Sequence, residues 1–263
     1  MSPNLGSEDR PRSSLTEYVY NSLCRALLRG DYPPGHSLPS EGELAAQFNV
    51  SKVVIRAALQ QLAALGVVEI RQGRACLVKR LSPRPLEYFF SFALMETDNG
   101  LVEAVQLRRG LETYIAERAA RHIKMSELVQ LRQALKMMEK ARTNPEAFVE
   151  ADIAFHMALV DASDNRLLMF LMHALKGTIR ETIRMLHEKG MTPDRSATIA
   201  RHAAIVEAIS SGDPAAARQA MSDHFDASEA KTLAMRPNGK PSLEPERIIE
   251  MLERGGEEFA KND

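Results

Sequence analysis

Residues 31–78 read DYPPGHSLPSEGELAAQFNVSKVVIRAALQQLAALGVVEIRQGRACLV, and this stretch decides the fold of the N-terminal region. A first helical pattern runs from about Glu41 to Phe48. Ser40 stands at its N-cap position, and Glu43 is placed to complete a capping box. After a three-residue turn, Ser51 can cap a second helix. The pattern predicts two short helices joined by a tight turn.

The second helix is predicted to run to about Leu65, with Gly66 at the C′ position. Its apolar residues recur at helical spacing on one face, which we expect to pack inward: Ile55, Ala58, Leu59, Leu62 and Leu65. Residues 67–70 and 76–78 then alternate like short strands around a glycine-containing turn. Together these elements predict a winged helix-turn-helix.

A helix-turn-helix presents the start of its second helix to the major groove of DNA. The candidate DNA-binding residues lie at the helix starts and in the wing: Ser40, Ser51, Lys52, Val53, Arg56, Gln72, Gly73 and Arg74. A plainer alternative is a small α+β subdomain whose charges are merely solvated. The caps, the short turn, the basic helix start and the basic wing agree with one another, and this agreement favours DNA binding.

The segment from Ser14 to Lys79 resembles the N-terminal domain of GntR-type transcriptional regulators. The resemblance rests on the run PPGxxLPSExELAxxFxVS, on the RAAL motif and on LxxLGVV, in that order and spacing. The chain departs from the family pattern at Gly42 and Lys52, where arginine is usual, and at Ala57, where glutamate is common. Lysine cannot make the bidentate contact to guanine that arginine makes. These departures concern the operator sequence and not the fold.

The chain has 263 residues, enough for two domains with cores of their own. Its net charge of −1 hides an asymmetry, because residues 1–80 carry ten Lys/Arg against seven Asp/Glu. This balance suits a DNA-binding head on a more acidic body. The sequence has no apolar run of membrane-spanning length and no signal-peptide pattern. Cys24 and Cys76 lack metal-ligand spacing, and a cytoplasmic setting is expected.

The predicted organisation is mainly α: a winged helix-turn-helix with a β-hairpin wing, followed by an all-α antiparallel bundle. The expected segments are a disordered tail, the DNA-binding domain, a linker containing two prolines, the effector-binding and dimerisation domain, and a polar tail: 1–13, 14–80, 81–87, 88–235 and 236–263. Within the bundle, helical patterns are predicted near 86–97, 99–122, 126–142, 145–163, 165–189, 194–211 and 214–234.

Four residues of the bundle have the chemistry of a metal site. Asp152 and His156 are four residues apart, on the same helix face. His202 and His224 lie ten and twelve residues from a turn at Gly212, so an antiparallel hairpin would bring them to similar heights. Imidazoles and a carboxylate suit a divalent transition metal. The alternative is that these histidines are ordinary surface or core residues.

Residues 100–235 resemble the FadR-type C-terminal effector domain of the same family. The matching motifs are RxxLE at 108–112, DxxxH at 152–156, NxxL at 165–168, RHxxIxxAIxxGD at 201–213 and AxxxMxxH at 217–224. The resemblance implies that Asp152, His156, His202 and His224 ligate a divalent metal such as Zn, Ni or Mn. It also implies a small organic acid as ligand, with Arg108 and Asn165 in the effector pocket. Alternatively, Arg108 pairs with Glu112, and Asn165 caps a helix.

The sequence therefore predicts a ligand-responsive transcriptional regulator that acts as a homodimer on a palindromic operator in double-stranded DNA. A carboxylic acid would bind in the metal-containing bundle and relieve repression, with activation left open. One alternative is a regulator for which the metal ion itself is the signal. Another is a metal-dependent hydrolase, for which Glu112 is the base to nominate. The chain lacks a His-Glu-x-x-His signature, and we expect no enzymatic activity.

Overall fold

The computed structural model describes residues 14–97, 99–188, 195–234, 246, 248–250 and 252–253. The chain forms two compact units, one ending at Pro85 and the other beginning at Leu86. The described part of the first unit contains helices and a short hairpin, and that of the second contains helices and their connections. The mainly α fold predicted from the sequence is confirmed. Among the described helices, none has the length and apolar character needed to cross a membrane.

The first unit is a three-helix arrangement with a two-stranded wing. Its elements are α1 Leu15–Arg29, α2 Glu41–Phe48, α3 Lys52–Ala64, β1 Val68–Glu69 and β2 Leu77–Val78. Helices α1 and α2 both pack against α3. The core is made of the apolar stripes of these helices, including Val19, Leu23, Leu44, Ile55, Leu59 and Leu62. The stripe predicted for the second helix is buried, except that Leu65 is exposed.

Serine side chains define where the helices of this unit begin. Ser14 caps α1. The Ser40 hydroxyl accepts the Glu43 N–H at 3.2 Å, and the Glu43 carboxylate accepts the Ser40 N–H at 2.8 Å, which completes the predicted capping box. The Ser51 hydroxyl accepts the Val54 N–H at 3.4 Å. These local bonds satisfy backbone donors that have no partner inside the helix.

The wing is an antiparallel hairpin. Val68 lies opposite Val78, and Glu69 lies opposite Leu77. Gly73 has a φ of +70°, a left-handed conformation that glycine adopts without steric cost, and it lies at the turn. The predicted hairpin is confirmed, although its strands are shorter than the patterns over 67–70 and 76–78 suggested.

The second unit is a bundle of helices. They are α5 Gly100–His122, α6 Met125–Lys140, α7 Pro145–Asp161, α8 Arg166–Ala174, α9 Lys176–Glu188, α10 Arg195–Ser210 and α11 Pro214–Ala234, preceded by α4 Arg84–Met95. Helix α5 packs on α11, α11 on α10, and α7 on both α6 and α9. The largest side chains of its core are the fully buried Phe148, Phe155 and Phe225. This packing places α5, α7, α10 and α11 around one interior.

The single helix predicted over 165–189 was wrong, because two helices occupy this stretch. Helix α8 ends at Ala174, Leu175 is its C-cap, and α9 begins at Lys176. No proline marks the break, and the nearest glycine, Gly177, lies inside α9. The local sequence therefore carried no stop signal, and tertiary packing decides where α8 ends.

The predicted linker over 81–87 was too long, because α4 already begins at Arg84. Pro85 is the second residue of that helix and does not interrupt it. Proline is tolerated in the first turn, since its missing N–H would have no partner inside the helix there. The prolines were therefore evidence for the start of a helix as much as for a linker.

The two predicted tails lie almost entirely outside the described residues. Nothing of residues 1–13 is described, and of residues 236–263 a few helical residues are. Among these, Ile248 is buried in an apolar cluster with Leu101 and Met185.

Candidate metal centre and DNA-binding surface

Helix α7 supplies two polar side chains to the interior of the bundle. It lies between α6 and α9, so much of its surface is buried. Asp152 and His156 are 3% and 1% exposed and follow each other by one helical turn. Such polar groups are costly to bury without partners. Their position in the core therefore points to a specific interaction.

Helices α10 and α11 form an antiparallel hairpin that supplies two further imidazoles. Gly212 turns the chain with a φ of +71°, and the Asp213 carboxylate caps α11 by accepting the Ala216 N–H at 3.0 Å. The ring centroids of His202 and His224 lie 4.5 Å apart. The hairpin thus places the two rings side by side, although they are far apart in sequence.

The four predicted ligands come together in one buried cluster. One ring nitrogen from each of His156, His202 and His224 lies within 4.8 Å of the others. The Asp152 Oδ1 atom is 2.9 Å from His202 Nε2 and 3.4 Å from His156 Nε2. Two ligands of one ion, each about 2 Å from it, lie roughly 3 Å apart. The carboxylate and these two imidazoles have that spacing.

Hydrogen bonds from outside the cluster orient two of the histidines. The His202 Nδ1–H donates to the Thr198 carbonyl oxygen at 2.9 Å, because a carbonyl can only accept. The His156 Nδ1 atom is in hydrogen-bond contact with the Glu112 carboxylate. Both rings therefore direct Nε2 toward the cluster centre. Histidines that ligate metals are typically held in this way by an acceptor at their other nitrogen.

The charges of the cluster shift its pKa values in opposite directions. Burial alone would raise the pKa of Glu112, but the combined attraction of His156 and Arg108 lowers it from 4.5 to about 2. Burial alone would lower the pKa of His156, yet Glu112 and Asp152 raise it from 6.5 to about 9. The pair is a carboxylate and an imidazolium at neutral pH. A metal ion at Nε2 would replace that proton.

His224 is in the neutral form that binds metal ions. Burial, followed by the charges of His202 and His156, lowers the pKa of His224 well below 6.5. A neutral imidazole has a nitrogen lone pair available for ligation. His224 thus needs no deprotonation to act as a ligand.

Three imidazole nitrogens of the cluster are buried and available to bind a cation. His156 Nε2, His202 Nε2 and His224 Nδ1 are buried and make no hydrogen bond of good geometry within the described residues. Buried polar atoms without hydrogen bonds are rare and costly. Three imidazoles and one carboxylate form a donor set that suits Zn, Ni or Mn. The residues present therefore fit a divalent transition metal.

Arg108 lies beside this cluster and is 3% exposed. Its Nε–H donates to Glu112 at 2.9 Å, and its Nη1–H donates to the Thr182 hydroxyl at 3.0 Å. Its Nη2 group is buried and makes no hydrogen bond within the described part of the chain. A cavity next to the cluster is lined by Arg108 together with Asp152 and His224. Arg108 thus pairs with Glu112 and also faces a cavity.

Asn165 is placed differently from Arg108, the other predicted effector residue. Its side-chain oxygen accepts the Leu168 N–H at 3.2 Å and so caps α8. The described residues that line the cavity do not include it. The structure therefore gives Asn165 the capping role that was the alternative at the sequence level.

Several residues that line the cavity or hold Arg108 were missed by the sequence analysis. Thr182 and Thr198 hold Arg108 and His202, respectively, but a threonine inside a helix carries no functional signal of its own. Arg201 belonged only to the family motif and received no role. Its place in that motif, directly before His202, was the available signal.

On the first unit, the start of α3 is exposed. Val53 is 73% exposed, and Lys52 and Arg56 are exposed beside it. Arg56 contacts Glu41 twice, from Nη2 at 2.7 Å and from Nε at 3.2 Å. Lys52 extends over Gly42, where an added Cβ would lie 3.7 Å from the lysine Cε. The helix thus presents two cations and an apolar side chain to solvent.

The remaining candidate DNA-binding residues fall into two groups. Gln72, Gly73 and Arg74 are exposed at the turn of the wing. The hydroxyls of Ser40 and Ser51 accept backbone N–H groups at the starts of α2 and α3. Helix N-termini attract phosphate groups. Ser40 and Ser51 therefore have a structural role as helix caps. The three wing residues lie in the turn, outside the two strands.

A winged helix-turn-helix with an exposed basic helix start, in one chain with a helical bundle that encloses a polar cavity, defines a class of protein. It is a DNA-binding transcriptional regulator with a second, helical domain. Comparisons with known proteins identify the family. Residues 15–78 match the bacterial regulatory proteins of the gntR family, and residues 103–227 match the FCD domain.

Individual relatives agree with this assignment. The HTH-type transcriptional regulator LutR of Bacillus subtilis (strain 168) is 32% identical over 202 residues, which are 76% of this chain and 92% of LutR. The HTH-type transcriptional repressor NanR of Escherichia coli (strain K12) is 29% identical over 230 residues, covering 86% and 88% of the two chains. A solved structure of Streptococcus agalactiae GntR superposes with a TM-score of 0.59 at 28% identity and covers 82% of this chain and 99% of that one. The chain belongs to the GntR family of transcriptional regulators.

Proposed function

We propose that the protein is a ligand-responsive transcriptional repressor whose bundle binds a divalent transition-metal ion and a small carboxylic acid. One observation carries the proposal. The buried imidazoles of His156, His202 and His224 converge beside a cavity that the buried guanidinium of Arg108 also lines. The imidazole nitrogens can hold a metal ion, and the ion and the guanidinium can together bind the carboxylate of an acid.

Asp152, His156, His202 and His224 would hold the ion, and Zn, Ni or Mn suit these donors. When bound, the ion supplies concentrated positive charge that attracts carboxylate oxygens. Thr198 keeps the His202 ring oriented.

Arg108 would provide the second contact to the acid. Glu112 and Thr182 hold two of its donor nitrogens, so the guanidinium cannot rotate without breaking both bonds. The Nη2 group remains to donate to a carboxylate oxygen. A hydrogen bond between two charged groups is about twice as strong as a neutral one. Arg108 would thus select acids over neutral ligands.

The protein would act as a homodimer whose two winged heads bind the half-sites of a palindromic operator, in the cytoplasm where bacterial DNA lies. Repression is the favoured sign, because NanR is described as a repressor and resembles this chain over most of its length. Binding of the acid would weaken operator binding. A tenfold change in operator affinity requires about 1.4 kcal/mol of coupling between the two sites.

A thermal-shift screen of the full chain against small carboxylic acids, with and without a chelator, tests this proposal. An acid at about 100 times its Kd adds roughly 2.7 kcal/mol and raises the melting temperature by several degrees. The shift should vanish with chelator and in the double variant His202→Ala/His224→Ala. The control His173→Ala removes a half-buried histidine of α8 that lies outside the cluster, and it should keep the full shift.

Other outcomes point to the other functions. If metal alone changes operator affinity and no acid adds to it, the ion is the signal. If the double variant still binds metal stoichiometrically, the ligand assignment is wrong. Metal-dependent turnover of an ester or amide would favour a hydrolase, although both oxygens of Glu112 already contact Arg108 and His156.

A further inference from the structure

The cavity beside the imidazole cluster is also lined by a second set of cationic side chains. Arg201 of α10 and Lys231 of α11 line it, together with Thr198 and Ser228. Arg201 directly precedes His202 in the chain, and Lys231 lies two helical turns beyond His224. The second set is thus carried by the same two helices that supply two of the imidazoles.

Arg201 resembles Arg108 in one informative respect. Its Nη2–H donates to the Thr198 hydroxyl at 3.2 Å, and its Nε atom is buried without a hydrogen bond within the described residues. Arg108 has the same kind of buried, unsatisfied nitrogen at Nη2. An unsatisfied buried donor costs free energy, and a charged one costs more. Two such donors, on different helices, line a single cavity.

The formal charges around the cavity point to a ligand with more than one negative group. The cations are Arg108, Arg201 and Lys231, and the carboxylates are Asp152 in the lining and Glu112 behind it. With a divalent ion on the cluster and the imidazoles neutral, the net charge of these groups is +3. A monocarboxylate would leave an excess of positive charge in a largely enclosed space. A dianion neutralises more of it.

Thr198 contacts both a histidine of the imidazole cluster and a member of the second set of cations. Its carbonyl accepts the His202 Nδ1–H, and its hydroxyl accepts the Arg201 Nη2–H. One buried residue therefore holds both a cluster imidazole and the second cation. The two groups keep a fixed relation to each other, which a ligand with two acidic groups at a fixed spacing requires.

We propose that Arg201 and Lys231 form a second anionic subsite, so that the effector is a small dicarboxylate. One carboxylate binds at the imidazole cluster and Arg108, and the other binds at Arg201 and Lys231. This inference rests on the proposed function for the first carboxylate. The second carboxylate sets the preference for diacids over monoacids.

Isothermal titration calorimetry of the metal-loaded full chain tests the subsite. Each dicarboxylate is compared with the monocarboxylate of equal carbon number: malonate with propionate, succinate with butyrate, glutarate with valerate. At least one dicarboxylate should bind about tenfold more tightly than its counterpart, the difference expected for one additional charged hydrogen bond.

The variants Arg201→Gln and Lys231→Gln should lose that tenfold preference while their affinity for the monocarboxylate stays unchanged. Arg201→Lys, which keeps the charge, should recover part of the preference. The control Arg218→Gln removes an exposed cation from α11 that pairs with Glu117, and it should leave both affinities unchanged. Circular dichroism establishes that each variant is folded, and the second glutamine variant keeps the test valid if the first is not folded.

The outcomes separate this inference from the proposed function. Equal affinities for paired mono- and dicarboxylates would overturn the second subsite and leave the proposed carboxylate site intact. A preference for dicarboxylates that survives in both glutamine variants would also overturn it. If the metal-loaded wild-type chain binds none of these acids, the proposed function itself fails, and the subsite fails with it.

Discussion

An arginine–glutamate pair occurs in each unit of the molecule, and the two pairs have opposite surroundings. In the first unit, Arg56 contacts Glu41 with side chains that are 58% and 31% exposed. In the bundle, Arg108 contacts Glu112 with side chains that are 4% and 0% exposed. The ionic partners are the same, so the presence or absence of water decides what each pair can do.

The exposed pair is weak, because water screens its charges and can solvate each partner alone. Arg56 can therefore leave Glu41 for a guanine edge or a phosphate at little cost. The buried pair has no such alternative. Removing the charge of Glu112 would leave Arg108 as a buried cation without its carboxylate, and His156 with Asp152 alone. An exposed pair is exchangeable, whereas a buried pair is part of the fold.

The largest effect is expected from Glu112→Gln in the metal-free protein. Gln fills the same volume but leaves the buried Arg108 without its counter-charge and removes one of the two carboxylates beside His156, so the free energy of unfolding should fall by about 3–5 kcal/mol. Urea unfolding followed by circular dichroism measures this. The control Glu117→Gln, on the same helix but in exposed ion pairs, should lose less than about 1 kcal/mol. Equal losses in the two variants would contradict the contrast.

The next largest effect concerns DNA and the exposed pair. Arg56→Ala should weaken binding to the preferred operator by about tenfold to a hundredfold, because we expect Arg56 to make a bidentate contact to guanine that alanine cannot make. Selection from a random DNA pool defines that operator, and anisotropy titration measures the affinity. Arg56→Lys should recover little, since lysine lacks the planar fork. The control Arg29→Ala, an exposed arginine at the end of α1, should bind normally. Unchanged affinity in Arg56→Ala would remove this residue from base readout.

A smaller effect is expected at the wing. Arg74→Ala should weaken binding to the preferred operator and to random DNA by a similar factor. An arginine of the wing that contacts a phosphate contributes charge and does not read the base sequence. The slope of log affinity against log salt concentration should become shallower by about one, the change expected for the loss of one phosphate contact. Titrations at several salt concentrations give this slope. A loss confined to the preferred operator would instead place Arg74 at a base edge.

The smallest effect is expected from Glu41→Gln. The melting temperature should change by less than about 2 °C, since an exposed ion pair contributes little to stability. Operator selectivity should persist, because Arg56 does not depend on Glu41 for its charge. Differential scanning calorimetry of Glu41→Gln and Glu112→Gln, each against the wild-type chain, compares the contributions of the two pairs to stability. If Glu41→Gln lost as much stability as Glu112→Gln, the exposure of an ion pair would not decide its role.

Prediction from sequence succeeded where the interacting residues are close in the chain. The capping box of Ser40 and Glu43 spans three residues, and the helix and turn that follow it depend on equally local bonds. It failed at the end of α8, where no glycine or proline stops the helix at Leu175. That boundary depends on packing, which local propensity does not contain.

By itself, the sequence determined the winged helix-turn-helix and the helical nature of the bundle, because caps, turns and apolar periodicity act within a few residues. It also identified Asp152 and His156 as neighbours on one helix face. Only the tertiary structure decided that Glu112 contacts His156 from 44 residues away and that Thr182 holds Arg108 from 74 residues away. The loss of water around a charge, and the partner that then compensates it, depend on which helices pack together.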